Sequence, residues 1–177
     1  MFSFLKKKDK RPKVTDLVFA TNAGKLQALL NTAHQKPKPV FVAWFDESLE
    51  ELQKYFDQHQ IQAEILTYRQ IHSGNVQTNE IIFIEHYPLH QKEVEIFSTL
   101  ASKNITVYSS LDEPLFKHFG GENISGLLNK LGLNENEAIS HSLITSSIKR
   151  AQEKLAEKVV TEHSASSMEE WFRKNVS

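Results

Sequence analysis

The spacing of apolar residues divides the chain into segments of strand length and segments of helical period. Two continuous apolar runs have the length of a strand, at 39–45 and 81–84, and the stretch 105–108 is also predicted to be a strand. Because these runs carry no polar face, they are typical of strands buried on both sides of a sheet. A further strand is predicted over 62–68, and residues 16–19 form a short extended lead-in.

Between these runs, apolar residues recur three and four positions apart, which is the spacing of an amphipathic helix. Thr21 can cap the first helix, and Asp46 or Ser48 can cap the second. Residues 69–79 lack this spacing, so a loop is predicted where a crossover helix normally joins parallel strands. The predicted helices lie around 26–30, 49–56, 94–100, 113–119, 125–131, 142–158 and 168–174.

This order of elements indicates an α/β fold, with a mainly parallel sheet flanked by helices and a C-terminal all-helical extension. We predict the α/β domain over 14–111 and the extension over 112–177, packed on or beside the sheet. Residues 1–13 hold six basic residues against one acidic residue, so we predict a basic flexible tail there.

Composition excludes several classes of protein. The 177 residues include no cysteine, which excludes a disulfide framework, a thiolate metal site and a cysteine nucleophile. No apolar run approaches the roughly 18 residues of a membrane span, and no export signal is present, so we expect a cytoplasmic protein. Beyond the tail the chain is acidic, and the whole chain has four arginines, which disfavours binding to nucleic acid.

Two parts of the chain are candidate contact surfaces. The tail combines aromatic and lysine residues, which fits peripheral contact with the inner membrane, although a solvated tail is the simpler interpretation. The C-terminal segment has large aromatic residues that need a surface to rest on, and a partner could supply that surface. The candidate contact residues are Phe2, Phe4, Lys6, Lys7, Lys8, Trp171 and Phe172.

Two catalytic motifs are incomplete. Gly24 and Lys25 suggest a phosphate-binding loop, but Phe19 and Leu26 occupy the positions where that loop has a glycine and a hydroxyl. Residues 58–111 contain no aspartate, so no serine–histidine–aspartate triad can be placed there. No catalytic or cofactor-binding residue is assigned, and no cofactor is expected.

Two histidines have the spacing of zinc ligands. His86 and His90 would join Glu85 and Glu93 at a metal if one helix carried all four. Pro88 argues against that helix. We therefore interpret the histidines as strand-end and helix-cap residues and assign no metal site.

Several short motifs occur in an order that one protein family also has. The motifs are Asp16-Leu-Val-Phe-Ala-Thr21, Pro39-Val-Phe-Val42, Tyr108-Ser-Ser-Leu-Asp-Glu113, Phe119-Gly120, Ile124-Ser-Gly-Leu127, Lys130-Leu-Gly132 and Glu137-Ala-Ile-Ser-His141. From Asp16 to about Leu155 the chain resembles the second motor domain of SecA, the ATPase that drives preproteins through the bacterial translocase. The resemblance implies a RecA-like, helicase C-terminal-like parallel sheet followed by the start of a long scaffold helix.

The resemblance also implies a loss of activity. The family hydrolyses ATP between two motor domains, and no first motor fits in this chain. The second-motor loop with its Gly-Arg-Gly-Thr-Asp pattern should lie between Ile65 and Ile82, where this chain has no aspartate. The arginine-rich motif should lie near 96–103, yet residues 70–149 contain no arginine. An arginine finger is worth about 10³ to 10⁵ in rate, so the chain is expected to be a degenerate motor domain without ATPase activity.

Three functions follow from this reasoning. The first is a non-catalytic protein-binding or regulatory module, linked to protein secretion and with translocase components among its expected partners. The second is a nucleotide-binding half-site that a partner ATPase completes in trans. The third is a nucleic-acid-binding domain, which the acidic body disfavours.

Overall fold

The structure is a computed structural model that describes residues 12–72, 74, 76–100, 103–119 and 137–176. The candidate contact residues of the tail and the helix predicted over 125–131 lie outside these ranges.

Five parallel strands form one sheet in the order β1-β5-β4-β2-β3. The prediction of a mainly parallel sheet in an α/β fold is therefore confirmed. The run at 39–45 gives an interior strand in which all four residues are buried, as its continuous apolar character indicates. The strands are β1 (Lys13–Phe19), β2 (Val40–Ala43), β3 (Glu64–Thr67), β4 (Glu80–Phe83) and β5 (Asn104–Ser110).

Helices cover both faces of the sheet. One face packs on α1 and α2 through a cluster that includes Leu29, Phe41 and Phe56. The other face packs on α3, α5 and α6 through a cluster that includes Phe97, Leu155 and Trp171. The helices are α1 (Asn22–Ala33), α2 (Asp46–Gln58), α3 (His90–Thr99), α4 (Pro114–His118), α5 (Ser142–Ala156) and α6 (Met168–Asn175).

Two local predictions are corrected by the structure. The lead-in at 16–19 is the second half of a full edge strand, which starts at Lys13 and pairs with β5 along its length. The helix α2 is capped neither by Asp46 nor by Ser48, because its N-cap residue is Phe45 and no side chain of its own caps it. In contrast, the predicted cap of α1 is confirmed, since Thr21 Oγ1 accepts a hydrogen bond of 3.1 Å from Gly24 N.

The chain after β5 contributes to the same core as the sheet. Ile148 and Leu155 of α5 and Trp171 of α6 belong to the cluster on the α3 face. A short antiparallel bridge between Val18 and Ile139 attaches the start of this region to the edge strand β1. No helix among the described ranges is both long enough and apolar enough to cross a bilayer.

Candidate functional site

The carboxyl edge of the sheet concentrates charged side chains from separate elements. In open α/β sheets, ligands bind outside this edge. Lys25 enters it from the first turn of α1, Glu85 follows β4, and Glu113 follows β5. All three residues are at least nine-tenths buried, with exposures of 6%, 4% and 8% respectively. Charged groups this far from water need hydrogen-bond partners or counter-ions within the protein.

Lys25 makes two bonds within its own chain. Its Nζ lies 2.6 Å from Glu113 Oε1 and donates a hydrogen bond of 3.0 Å to the carbonyl of Ile84. Burial alone would lower the pKa of Lys25, but the carboxylates of Glu113 and Glu85 outweigh burial and raise it. The lysine is therefore the ion-pair partner of Glu113, and the charge of Glu85 favours its protonated form.

Glu85 supplies the cap that α2 lacks in its own sequence. Its Oε1 accepts hydrogen bonds from the amides of Trp44 and Phe45, at 3.1 and 3.3 Å. Its Oε2 accepts a hydrogen bond of 2.6 Å from Ser48 Oγ. A carboxylate placed at a helix N-terminus also interacts favourably with the helix dipole. Glu85 thus joins the end of β4 to the start of α2.

Burial raises the pKa of Glu85 to about 7, although Lys25 and Ser48 act in the opposite direction. An acid whose folded pKa lies above its unfolded value of 4.5 stabilises the fold below that value. This stabilisation is lost as the pH rises from 4.5 through 7.

We therefore expect the unfolding free energy of Glu85→Gln, measured relative to that of the parent protein, to increase between pH 5 and pH 8. The gain is on the order of 2 kcal/mol, because the amide removes the cost of ionising a buried carboxyl group. Urea unfolding at both pH values measures it. Glu64→Gln, at an exposed position of β3, is the control that should show no such pH-dependent gain. If the unfolding free energies of the two variants changed equally between pH 5 and pH 8, the raised pKa of Glu85 would be contradicted.

A pocket of about 510 Å³ opens at this edge, and we call it the edge pocket. The residues before and within the first turn of α6 form one wall of it, with Met168 only 3% exposed. The carbonyl of Ser166 accepts a hydrogen bond of 3.1 Å from Glu47 N in the first turn of α2. The edge pocket is lined by Asn22, Lys25, Leu26, Leu29, Glu47, Ser48, Glu51, Leu52, Ile84, Glu85, Asp112, Glu113, Pro114, Lys117, Ser167, Met168 and Glu169.

A second buried charge cluster lies on the α3 face of the sheet. His86 Nδ1 donates to Glu93 Oε1 at 2.8 Å, and His86 Nε2 lies 3.4 Å from Asp16 Oδ1. Burial lowers the pKa of His86, but Glu93 and Asp16 outweigh burial and raise it to about 10. Thr145 donates to Asp16, and Gln152 donates to the carbonyl of Tyr87, so α5 is attached to the same cluster.

The structure agrees with the strand-end position of His86, whereas His90 is the first residue of α3 and Leu89 is its N-cap. His86 links β1 to α3 through Asp16 and Glu93, and its raised pKa favours the charged form, whereas His90 lies at the start of α3 with its side chain 34% exposed. The two histidines do not share a helix, as Pro88 indicated, because α3 begins at His90. Within the described ranges, no group of three or more potential ligands could hold a metal ion.

The aromatic residues of the C-terminal segment rest on this chain itself. Trp171 is 0% exposed, its ring is 6.2 Å from that of Tyr87, and its Nε1 donates to Glu162 at 2.8 Å. Phe172 is partly buried and packs against His118, with ring centroids 5.1 Å apart. The prediction that Trp171 and Phe172 await a partner's surface is therefore wrong for Trp171. For Phe172, the chain already supplies much of the surface that the prediction assigned to a partner.

Sequence reasoning did not identify the edge residues as a group. One signal was available, since Glu85 lies two residues after β4, Glu113 lies three residues after β5, and parallel strands end at a common edge. In the sequence, Lys25 belongs only to an incomplete phosphate-binding motif, whereas in the structure it is the ion-pair partner of Glu113.

Comparison with known proteins finds similarity to SecA over a short stretch. The SecA protein of Acidithiobacillus ferrooxidans is 52% identical over 48 residues, and that of Alkaliphilus oremlandii is 50% identical over 48 residues. The SecA protein of Christiangramia forsetii is 48% identical over 50 residues. No protein-family model matches the chain.

The similarity covers a small part of each protein. For the first two relatives, the matched stretch is 27% of this chain and 5% of the relative's length; for the third, it is 28% and 4%. The chain is therefore related to SecA over about 50 residues.

Proposed function

We propose that the protein is a non-catalytic relative of the second motor domain of SecA and serves as a protein-binding or regulatory module linked to protein secretion. The SecA-related stretch supports the link to secretion. The observation that supports the non-catalytic part is the carboxyl edge of the sheet, where Lys25, the buried cation, is bonded to Glu113 and to the carbonyl of Ile84.

Two features of this edge oppose binding of a nucleoside triphosphate. The edge pocket presents six acidic side chains and two lysines, and one of those lysines is bonded to Glu113. A triphosphate would meet like charges, which repel it. A helix N-terminus can bind phosphate when its amides are free. At α2, however, Phe45 N donates to Glu85 and Glu47 N donates to Ser166.

The alternative is a nucleotide-binding half-site that a partner ATPase completes in trans. The parallel sheet and the pocket at its carboxyl edge favour it, because nucleotides bind in this position in many α/β proteins. Calorimetry separates the two functions. Heat on adding MgATP to the chain together with its partner would support the half-site, whereas no heat would support the non-catalytic module.

The module is tested by purifying the tagged full chain from the cytosol and detergent-solubilised membranes of its own cells. We expect translocase components to be enriched by mass spectrometry over a bait protein of similar size and charge. Recovery of unrelated proteins alone would count against the proposed function.

Peripheral membrane contact is assigned to the basic tail. Lys6, Lys7 and Lys8 would each add about 1 kcal/mol of attraction to an anionic surface. We expect the full chain to float with anionic vesicles at low salt, and the Lys6→Gln/Lys7→Gln/Lys8→Gln variant to float much less. Equal flotation of the two proteins would contradict a role for these three lysines in membrane contact.

A further inference from the structure

The charge of the edge pocket is unbalanced toward the acidic side. The buried carboxyl groups of Glu85 and Glu113, whose pKa values burial raises, face one buried cation, Lys25. The exposed or partly exposed rim adds more acidic groups than basic ones. The acidic residues of the pocket are Glu47, Glu51, Glu85, Asp112, Glu113 and Glu169, and the basic residues are Lys25 and Lys117.

One buried carboxylate oxygen of this pocket lacks a partner. Glu113 Oε1 is bonded to Lys25 Nζ at 2.6 Å and to Ser110 N at 3.0 Å. The other oxygen, Oε2, is inaccessible to solvent and has no hydrogen-bond partner in the described part of the chain, although the residue is 8% exposed and lines the pocket. Leaving a buried acceptor without a donor costs free energy, more so when the acceptor is charged. A donor entering the pocket would remove that cost once the carboxyl group of Glu113 turns Oε2 toward the pocket.

Other acceptors of the pocket are held in fixed positions. Asp112 accepts from Asn22 N at 2.9 Å and from Ser110 Oγ at 2.6 Å, and Glu51 accepts from Asn22 Nδ2 at 2.9 Å. Carboxylates that are already positioned lose little freedom when a cation binds them, and such preorganisation favours binding.

We propose that the edge pocket binds the cationic side chain of an arginine- or lysine-rich segment of a partner protein. An arginine guanidinium fits best, because its five donors can bridge carboxylates on opposite walls of the pocket. The inference rests on the proposed protein-binding function and gives that function a surface and a partner chemistry.

The test uses a fluorescein-labelled 12-residue peptide of alternating arginine and glycine, titrated with the full chain at about 50 mM salt. In the variant Glu47→Gln/Glu51→Gln/Glu169→Gln, we expect affinity to fall about tenfold, because rim charges steer and hold the cation. The matched variant Glu50→Gln/Glu153→Gln/Glu157→Gln removes the same charge from exposed positions outside the pocket, and its affinity should stay within about twofold of the parent.

Three results would overturn the inference. The peptide could fail to bind, or both triple variants could lose affinity equally, which would indicate attraction to the whole acidic surface. Binding could also appear only in the Lys6→Gln/Lys7→Gln/Lys8→Gln variant, which would assign the pocket to the chain's own tail. If translocase components are still captured after any of these results, the proposed function stands and only the assignment of the surface fails.

Discussion

Replacing Glu93 with glutamine is expected to lower the free energy of unfolding by about 3–5 kcal/mol at pH 7, as happens when one partner of a buried ion pair is removed. Glu93 Oε1 accepts from His86 Nδ1 at 2.8 Å and from Tyr87 N at 2.9 Å. Burial would raise the pKa of Glu93, but His86 outweighs it and lowers the value to about 2. The glutamine keeps the shape and removes the charge, so His86 loses its nearest counter-ion.

The control for this prediction lies on the same helix. Glu95 of α3 is exposed, and Glu95→Gln should change stability by less than about 0.5 kcal/mol in the same urea titration. A Glu93→Gln protein as stable as Glu95→Gln would mean that the buried cluster does not hold α3 to the sheet.

The same cluster predicts how stability depends on pH. His86 has a folded pKa of about 10 against 6.5 for the free side chain, so its contribution is complete below pH 6.5 and is lost as the pH rises through 10. Unfolding free energies of the parent protein should therefore fall between pH 7 and pH 10. In Glu93→Gln the fall should be smaller, because the counter-ion that raises the pKa of His86 is gone.

Truncating Trp171 to alanine is expected to cost about 3–5 kcal/mol and to release α6 from the sheet. The indole is fully buried next to Tyr87 and hydrogen-bonded to Glu162. Its loss removes a large apolar contact and also leaves Glu162 with one donor fewer. Hydrogen exchange should show faster exchange of the α6 amides, together with the drop in unfolding free energy.

Arg173→Ala is the matched truncation on the same helix. Arg173 is exposed, with its guanidinium 3.7 Å from Glu170, so its removal should cost less than about 1 kcal/mol. If Trp171→Ala were no more destabilising than Arg173→Ala, the C-terminal helix would not be part of the core.

Local pattern was sufficient to predict four of the five strands, whereas β1 was predicted only as a short lead-in over 16–19. The apolar runs at 39–45 and 81–84 are visible without any partner, because a strand buried on both faces has no polar positions. The cap of α1 was equally local, since Thr21 bonds an amide three residues away. The cap of α2 could not be predicted from neighbouring residues, because Glu85 supplies it and lies 37 residues from Ser48 in the chain.

The same limit applies to the candidate site. Thr145 and Asp16 are 129 residues apart, and only the fold brings their side chains together. The size of Trp171 and Phe172 correctly indicated that the segment packs against a surface, but an aromatic side chain does not reveal whether its cover comes from the same chain. The SecA-related stretch likewise gave a family connection without the chemistry of the edge pocket.

The most direct test of the proposed loss of catalysis uses the purified full chain on a final size-exclusion column. Phosphate release from MgATP is measured in each fraction. The account predicts background rates in every fraction, because Lys25 is bonded to Glu113 and acidic side chains line the carboxyl edge of the sheet. Turnover that co-elutes with the chain and disappears in Lys25→Met would contradict it.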